Sequence, residues 1–330
     1  MVAARDGCYR AMMSDEISVD SILGAGGNVS SRLEGYAPRQ QQLQMARKVA
    51  EALAGNEHLI AEAGTGTGKS FAYLVPAILH ATGNAESTDK EPDDSTGKSA
   101  AGKSARGPRI VVSTHTISLQ EQLINKDIPL LNSIIPREFS AVLVKGRGNY
   151  LSVRRMERAV AKMTTTFAYD NQYQQMRAIQ KWAKETSDGS LATLSIKPDS
   201  DVWDESKRDT GNCLRKKCDH FEKCFYFRAR RRANHAQLLV VNHAMLFSDI
   251  ALRRQGVSLL PDYDAFILDE CHTVEAVAGD HLGIRFTSGQ FNYLFNRLYN
   301  DQTQKGLLVT KQLQGLQKLV DRCRFAATNF

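Results

Sequence analysis

The chain contains a glycine-rich stretch that reads Ala63-Gly64-Thr65-Gly66-Thr67-Gly68-Lys69-Ser70. It follows a short apolar run at 58–61, which predicts a strand, and it precedes an apolar segment at 69–80 with helical spacing. Glycines let the backbone curl so that several N–H groups point at one phosphate chain, and the start of a helix adds the positive end of its dipole. A strand, a loop and a helix in this order predict a loop that binds a phosphorylated ligand.

The residues of this loop have separate predicted roles. We expect Lys69 to reach the β- and γ-phosphates of ATP and Ser70 to ligate Mg²⁺, while residues 63–70 together cradle the nucleotide. The strict pattern has glycine where Ala63 stands, and a literal match occurs at 97–104 instead. That second stretch has no strand before it and no apolar helix after it, so nothing holds it in shape. A glycine-rich turn without a ligand is the alternative for the first loop.

An acidic motif, Asp269-Glu270-Cys271-His272, follows the apolar run at 265–268. Ligands of open α/β sheets bind at the carboxyl ends of strands, so we expect Asp269 to hold Mg²⁺. Glu270 is then placed to orient and deprotonate an attacking water, and His272 to couple the site to a neighbouring domain. A polar strand end without a ligand is the alternative for this motif alone.

The pattern of apolar runs predicts an α/β fold with a parallel sheet wrapped by helices, since short strands alternate with helices. The predicted strands are 58–61, 109–113, 140–145, 238–241 and 265–268, and a helix is predicted at 38–54. Residues 1–35 predict a flexible tail. Residues 84–108 predict a disordered insertion, because they contain no aromatic or branched aliphatic side chain.

The remaining segments complete the predicted domain organisation. Residues 36–145 and 235–275 form the nucleotide-binding domain, and residues 146–234 form a subdomain inserted into it. Residues 276–330 are predicted to be mainly helical, and one helix face carries Phe291, Leu294, Phe295 and Leu298.

The composition is that of a soluble globular protein, with 42% hydrophobic and 24% charged residues in 330. No apolar stretch approaches the roughly 20 residues of a membrane-spanning helix, and no secretory signal opens the chain, so we expect a cytoplasmic protein without a membrane partner. The net charge of +7 is concentrated at 145–232, where 20 Lys and Arg face 11 Asp and Glu. Such a block indicates a polyanionic partner, and a solvated surface is the alternative.

Together these motifs resemble the superfamily-two helicases of the DinG/XPD-like group. Residues 36–45 resemble the adenine-recognising segment, which places Gln42 and Arg39 at the nucleotide. Residues 113–123 resemble the first DNA-contacting motif, which includes Thr114. Residues 145–150 and 240–249 also resemble landmarks of the family, and the similarity extends over about residues 36–275.

The resemblance implies a RecA-like P-loop NTPase domain and an ATP-dependent 5′-to-3′ DNA helicase, a DNA-repair type of enzyme that acts on single-stranded or forked DNA. It also implies that 146–234 is an iron–sulfur-type insertion and that 276–330 begins an arch-like insertion. A second motor domain, which supplies an arginine to the γ-phosphate, is absent from these 330 residues and would come from a full-length form. The alternatives are a truncated remnant that binds ATP and DNA without catalysis, a small-molecule phosphotransferase and a metal-stapled binding module.

Three of the six cysteines lie close together, at Cys213, Cys218 and Cys224. Without an export signal, this clustering favours a metal or cluster site over disulfides. In the DinG/XPD-like family four cysteines hold a [4Fe–4S] cluster, and the place of the first is taken here by Ser152. The alternatives are a cluster with one iron otherwise ligated, another metal assisted by His220 or His235, and no metal.

An arginine run follows the aromatic residues 225–227 and consists of Arg228, Arg230, Arg231 and Arg232. Aromatic rings stack on bases and guanidinium groups follow phosphates, so this pattern predicts contact with single-stranded DNA. The predicted positive surface also includes Arg147, Arg154, Arg155, Lys216 and Lys217. An exposed helix face without a ligand is the alternative.

Overall fold

The computed structural model describes residues 17–83, 107–163, 167, 169–283, 287–304, 306–310 and 313–329. Predictions that concern 1–16, the literal motif match at 97–104 and nearly all of the insertion at 84–108 lie outside these residues. The chain divides into two compact units, Met1–Val277 and Ala278–Phe330.

A four-stranded sheet lies at the centre of the first unit. Its strands are β1 (Ile110–Thr114), β2 (Ala141–Leu143), β3 (Leu238–Asn242) and β4 (Ala265–Leu268). All neighbours pair in parallel, in the order β2-β3-β1-β4. The continuously apolar sequence of β1 and β3 agrees with their position inside the sheet, where both faces are covered. The predicted α/β fold with a parallel sheet is confirmed.

Helices account for most of the other described residues. They are α1 (Val19–Leu23), α2 (Asn28–Arg32), α3 (Gln40–Gly55), α4 (Lys69–Gly83), α5 (Ile117–Gln122), α6 (Ile128–Ile134), α7 (Val153–Ala161), α8 (Asp170–Glu185), α9 (Ser200–Ser206), α10 (Phe225–His235), α11 (His243–Arg253), α12 (Val274–Leu282), α13 (Ser288–Leu298), α14 (Leu307–Thr310) and α15 (Gln314–Thr328). A π-helical turn, Leu123–Asp127, joins α5 to α6. In the part of the chain that the structure describes, no helix is both long and apolar enough to cross a membrane.

Both faces of the sheet are covered by apolar side chains, because successive strand residues point to opposite faces. One face of β1 presents Ile110 and Val112 to a cluster that includes Leu74 and Ile78 of α4. The other face presents Val111 to a second cluster with Leu239, Val241, Leu246 and Leu260.

The predicted flexible tail is wrong for residues 17–35. Ile22 and Leu23 of α1 and Val29 of α2 are fully buried in the same cluster as α4. Both helices have only five residues, and a glycine-rich turn separates them, so the local sequence pattern is too short to show the burial.

The predicted strand at 58–61 is also wrong for the described structure. These residues have no strand partner, and the side chains of Leu59 and Ile60 are 40% and 95% exposed. An apolar run forms a strand only where a neighbouring edge satisfies its backbone N–H and C=O groups. The edge strand β4 pairs with β1 alone.

The residues between β2 and β3 have an apolar core of their own, within the predicted inserted subdomain. This cluster includes Leu151, Met156, Met176, Ile179, Val202, Trp203, Phe225 and Tyr226. The aromatic residues 225–227, which precede the arginine run, therefore pack in or against this core.

The second unit is built from α13, α14 and α15 around a small cluster. Phe295, Tyr299, Leu308 and Val320 are buried, and Phe291 and Leu298 pack against them. Leu294 is 51% exposed, so the predicted apolar face of α13 is correct for three of its four residues.

Candidate nucleotide-binding site

The glycine-rich loop is curled, as its sequence predicts, and leads directly into α4. Gly66 and Gly68 have φ angles of +78° and +81°, a region that side chains with a Cβ rarely adopt. The Thr67 hydroxyl donates to the Gly64 carbonyl at 2.7 Å and holds the turn. Lys69 is the first residue of α4, so the helix N-terminus faces the space in front of the loop.

Gln42 contacts the loop itself. This side chain of α3 is only 3% exposed, and its Nε2 donates to the Gly68 carbonyl at 2.9 Å. Its Oε1 accepts from the Tyr36 hydroxyl at 2.7 Å. The structure thus brings Gln42 to the loop, while Arg39, which precedes α3, is exposed.

Ser70 and Asp269 both lie near the hydroxyl of Tyr73. Tyr73 lies one turn after Ser70 on α4, is 2% exposed, and donates to Asp269 Oδ2 at 3.0 Å. The Ser70 side chain is near enough to both groups to lower the pKa of Tyr73 and of Asp127. The two residues predicted to hold Mg²⁺ therefore both lie near the Tyr73 hydroxyl.

The local environment keeps the Tyr73 hydroxyl a neutral donor. Burial raises the pKa of Tyr73 well above its ordinary value, and the neighbouring Asp269 carboxylate raises it further. Burial also raises the pKa of Asp127, against hydrogen bonds from Gln122 and Ser70 that lower it. Neither Tyr73 nor Asp127 was identified from the sequence, because nothing in the spacing along the chain links them to Asp269.

The acidic motif turns sharply at the end of β4. The Asp269 N–H donates to the Ser113 carbonyl at 2.9 Å, and its Oδ1 accepts from the Glu270 N–H at 3.0 Å. Glu270 has a φ of +55°, a left-handed conformation that is uncommon outside glycine and often occurs at functional sites. His272 is exposed in the turn that follows.

His243 fills the space between the carboxyl ends of the central strands. It is 1% exposed, and its Nδ1 lies 2.7 Å from Ser113 Oγ. Burial lowers the pKa of His243, against the opposing effect of Asp269. Asp269 was predicted because ligands of open α/β sheets bind at the carboxyl ends of strands. The same reasoning applies to His243, which is the residue directly after β3.

Three arginines of the predicted DNA surface share an exposed face of α10. Arg228, Arg231 and Arg232 are spaced by three and four residues and are all exposed, with Arg231 paired to Glu222 at 3.4 Å. Arg230 points elsewhere and lines a cavity beside the amino ends of β1 and β3.

Other residues of the predicted DNA surface have structural partners. Thr114 is fully buried and donates to the Thr116 carbonyl at 3.3 Å, so its side chain is not accessible at the surface of this structure. Arg147 donates to the Tyr226 hydroxyl at 3.1 Å and to Thr210 at 3.2 Å. The rings of Phe225 and Tyr226 are buried and unavailable for base stacking.

Arg154 and Arg155 also donate to backbone carbonyls, those of Asn212, Glu205 and Asp204. Lys216 and Lys217 are exposed.

The three clustered cysteines line one cavity with Ser152, as the predicted ligand set requires. Among the described residues, however, no group of three or more His, Cys, Asp or Glu side chains is arranged to hold a metal ion. His220 pairs with Glu157 at 3.0 Å, and His235 lines the other cavity, so His235 does not assist these cysteines.

A buried arginine also lines the cysteine cavity. Arg208 is 6% exposed, its guanidinium lies 4.2 Å from the centre of the Tyr226 ring, and Nη2 donates to Cys213 Sγ at 2.8 Å. Its Nη1 is buried without a hydrogen-bond partner in the described part of the chain. A buried, unpaired cationic donor fits an anionic group such as a thiolate-bound cluster.

The chain was compared with known families and proteins. Residues 42–190 match the DEAD/DEAH box helicases. The ATP-dependent DNA helicase YoaA of Escherichia coli (strain K12) is 30% identical over 323 residues, which are 96% of this chain and 44% of that protein. The ATP-dependent DNA helicase DinG of Photobacterium profundum is 31% identical over 267 residues, 77% of this chain and 35% of that protein. A solved structure of a truncated XPD aligns with a TM-score of 0.39 and 14% identity, covering 83% of this chain and 64% of that one.

The chain is similar to the DEAD/DEAH box helicases of the DinG and YoaA type. The resemblance to this family predicted from its motifs is confirmed. The matched region of this DinG-like chain contains Gln42, the glycine-rich loop and Ser152, whereas Asp269 lies beyond it. The chain spans less than half the length of the YoaA and DinG relatives described above.

Proposed function

We propose that this DinG-like chain binds ATP with Mg²⁺ and forms the nucleotide-binding half of a DNA helicase motor that moves 5′ to 3′. The observation that supports this most directly is the Tyr73 hydroxyl, which brings the loop residue Ser70 and the acidic residue Asp269 to one place. A loop and a strand-end carboxylate arranged in this way suit a metal-bound triphosphate.

Each residue has a separate task in this proposal. Lys69 and the loop N–H groups hold the phosphates, and Gln42 recognises the adenine. Ser70 and Asp269 hold Mg²⁺, which neutralises charge on the phosphates when bound. Glu270, placed at the turn after β4, orients and deprotonates the attacking water, and His272 couples the site to the second motor domain.

Single-stranded DNA is the proposed partner, and the exposed arginine face of α10 is the proposed contact. Arg228 and Arg232 are exposed and Arg231 has only a surface ion pair, so all three are accessible to phosphates. Contacts of this kind release counterions, so we expect DNA affinity to fall steeply with salt. The cytoplasmic location predicted from the sequence stays part of this proposal.

A second candidate is nucleotide-dependent DNA binding without turnover. It keeps the proposed nucleotide and DNA contacts and differs from the first candidate in lacking hydrolysis. The arginine that stabilises charge on the γ-phosphate belongs to the second motor half in such enzymes.

ATP turnover by this chain, measured with and without single-stranded DNA, separates the two candidates. DNA-stimulated turnover that Lys69→Ala abolishes supports the motor, whereas nucleotide binding without turnover supports the second candidate. Turnover that persists in Lys69→Ala contradicts the site assignment.

The cysteine cavity is proposed as a metal or iron–sulfur site with an incomplete thiolate set. Cys213, Cys218 and Cys224 supply thiolates, Ser152 stands in the fourth place, and Arg208 compensates negative charge. An anaerobic preparation should contain iron and sulfide and absorb visible light. A colourless, metal-free protein contradicts the proposal.

A further inference from the structure

Tyr73 is a buried residue of α4 to which the proposed function gives no task of its own. It is 2% exposed, and its ring belongs to the apolar cluster that packs against one face of the sheet. A buried phenol hydroxyl requires a hydrogen-bond partner, because burying it without one is unfavourable. Its partner is Asp269 Oδ2, which lies 3.0 Å away at the end of β4.

The geometry of α4 explains why this hydroxyl reaches the carboxyl end of the sheet. Side chains of a helix lean toward its N-terminus, and residues three or four positions apart lie on one face. Tyr73 follows Lys69, the first residue of α4, by four positions. Its side chain therefore extends back along the helix toward the glycine-rich loop, and the packing of the ring fixes the direction of the hydroxyl.

The Asp269 residue is held at three points. Its N–H donates to the Ser113 carbonyl at 2.9 Å, and its Oδ1 accepts from the Glu270 N–H at 3.0 Å. These two bonds involve only the backbone of the strand ends, whereas the bond from Tyr73 to Oδ2 comes from a side chain packed in the core. An ionised carboxylate has roughly four lone-pair sites, so two donors orient it and still leave a site on each oxygen for a cation.

We infer that Tyr73 is a positioning residue of the proposed magnesium site, where its hydroxyl fixes the plane of the Asp269 carboxylate and thereby favours Mg²⁺ over Ca²⁺. This inference rests on the proposed nucleotide site. Mg²⁺ is the smaller ion and demands nearly ideal octahedral geometry, whereas Ca²⁺ accepts flexible arrangements of oxygen ligands. The loss of a group that orients a ligand therefore weakens the binding of Mg²⁺ more than that of Ca²⁺.

The protonation state of Tyr73 agrees with this role. Burial raises the pKa of Tyr73 well above its ordinary value, and the Asp269 carboxylate raises it further. The hydroxyl therefore keeps the proton that it donates to Asp269 Oδ2.

The test is a titration of the full chain with a fluorescent ADP analogue in the presence of Mg²⁺, Ca²⁺ or EDTA. Tyr73→Phe keeps the packed ring and removes only the hydroxyl. It should weaken binding with Mg²⁺ about tenfold, weaken binding with Ca²⁺ clearly less, and leave binding in EDTA unchanged. Tyr173→Phe is the matched control, because it removes a hydroxyl that donates to the Phe167 carbonyl at 3.2 Å in the inserted subdomain. The control should change none of the three titrations.

The outcomes separate a positioning role from a structural one. Unchanged binding of the Tyr73→Phe variant, or an equal loss of affinity under all three conditions, would overturn the inference. Equal losses with Mg²⁺ and Ca²⁺ would also overturn it, because the hydroxyl would then have no effect on the preference between the ions. Tyr73→Leu also lacks the hydroxyl, and it decides the question if circular dichroism shows that Tyr73→Phe does not fold.

Failure of the proposed function gives a different result from failure of this inference. If the unchanged chain does not bind the analogue with Mg²⁺, the proposed function fails and the inference fails with it. If the unchanged chain binds the analogue and the Tyr73 variants show the same preference between the ions, only the inference fails.

Discussion

At the scale of single residues, both candidate sites depend on hydroxyl and thiol groups that are held by charged neighbours. At the proposed nucleotide site Tyr73 donates to Asp269, and Ser70 lies one helical turn before it. At the cysteine cavity Arg208 donates to Cys213, and Ser152 occupies the place where the family has a cysteine. A serine hydroxyl is a poor ligand for iron beside thiolates, so the Ser152 oxygen limits which metal or cluster the cavity can bind.

Ser152→Cys tests that limit. The added thiolate completes the ligand set, so after anaerobic reconstitution with iron and sulfide the variant should retain more iron than the unchanged chain. Its visible absorption should also survive gel filtration. Ser152→Ala is the control, and its iron content should not rise. Equal, negligible iron in all three proteins would count against a cluster in this cavity.

At the scale of elements, α10 separates a structural face from a charged one. Phe225, Tyr226, Ala229 and Ala233 are buried, while Arg228, Arg231 and Arg232 are exposed on the opposite side. The neighbouring helix α11 carries Asp249, which is fully buried and anchors the loop that leads to β4. One helix therefore presents an exposed basic face, and the other holds the loop before the edge strand β4.

The arginine face should account for the salt dependence of DNA binding. Arg228→Ala and Arg232→Ala should each weaken binding of single-stranded oligonucleotides and lower the slope of log K against log salt by about 0.7. Arg230→Ala removes an arginine from the same run, but on the side that lines the other cavity, so its slope should not change. Fluorescence anisotropy at several salt concentrations measures both. If all three variants lost DNA affinity and salt slope equally, the exposed arginines would not differ from Arg230 in their contact with DNA.

Asp249 should contribute more to stability than Asp262, although both pair with Arg253. Asp249 accepts from Arg253 Nε at 2.6 Å and from the N–H groups of Leu259 and Leu260 at 2.6 and 2.7 Å. The Asp262 side chain is 83% exposed. Asp249→Ala leaves buried donors unpaired and should destabilise the fold by about 3 kcal/mol. Asp262→Ala should change stability by less than about 1 kcal/mol. Urea unfolding of both variants tests this, and equal effects would refute it.

At the scale of the whole molecule, the proposed nucleotide site lies entirely within the first compact unit. Its parts come from α3, the loop, α4, the π-helical turn and the end of β4, which span most of that unit. A ligand that joins these elements therefore stabilises the unit as a whole.

ATP with Mg²⁺ should raise the melting temperature of the full chain. A ligand at 100 times its dissociation constant adds about 2.7 kcal/mol, which corresponds to a shift of several degrees at this chain length. EDTA should reduce the shift, and Lys69→Ala should abolish it. A shift of equal size in Lys69→Ala would show that the nucleotide binds elsewhere.

Several features of the protein are readable from its sequence alone. The parallel α/β sheet, the curled loop and the acidic strand end follow from periodicity and spacing within short segments, and the motifs resemble those of the DinG/XPD-like family. These signals are local: the glycines at 64–68 permit the curled backbone, and the continuous apolar run at 110–112 suits a strand that is covered on both faces. Strands β1 to β4 were for this reason located to within a few residues.

Contacts between distant residues were decided by the tertiary structure. The hydrogen bond from Tyr73 to Asp269 joins positions 196 residues apart. The exposure of Ile60 and the burial of Thr114 depend on which strand pairs with which. Strand order and helix packing arise from all segments together, so no pattern within one segment contains them.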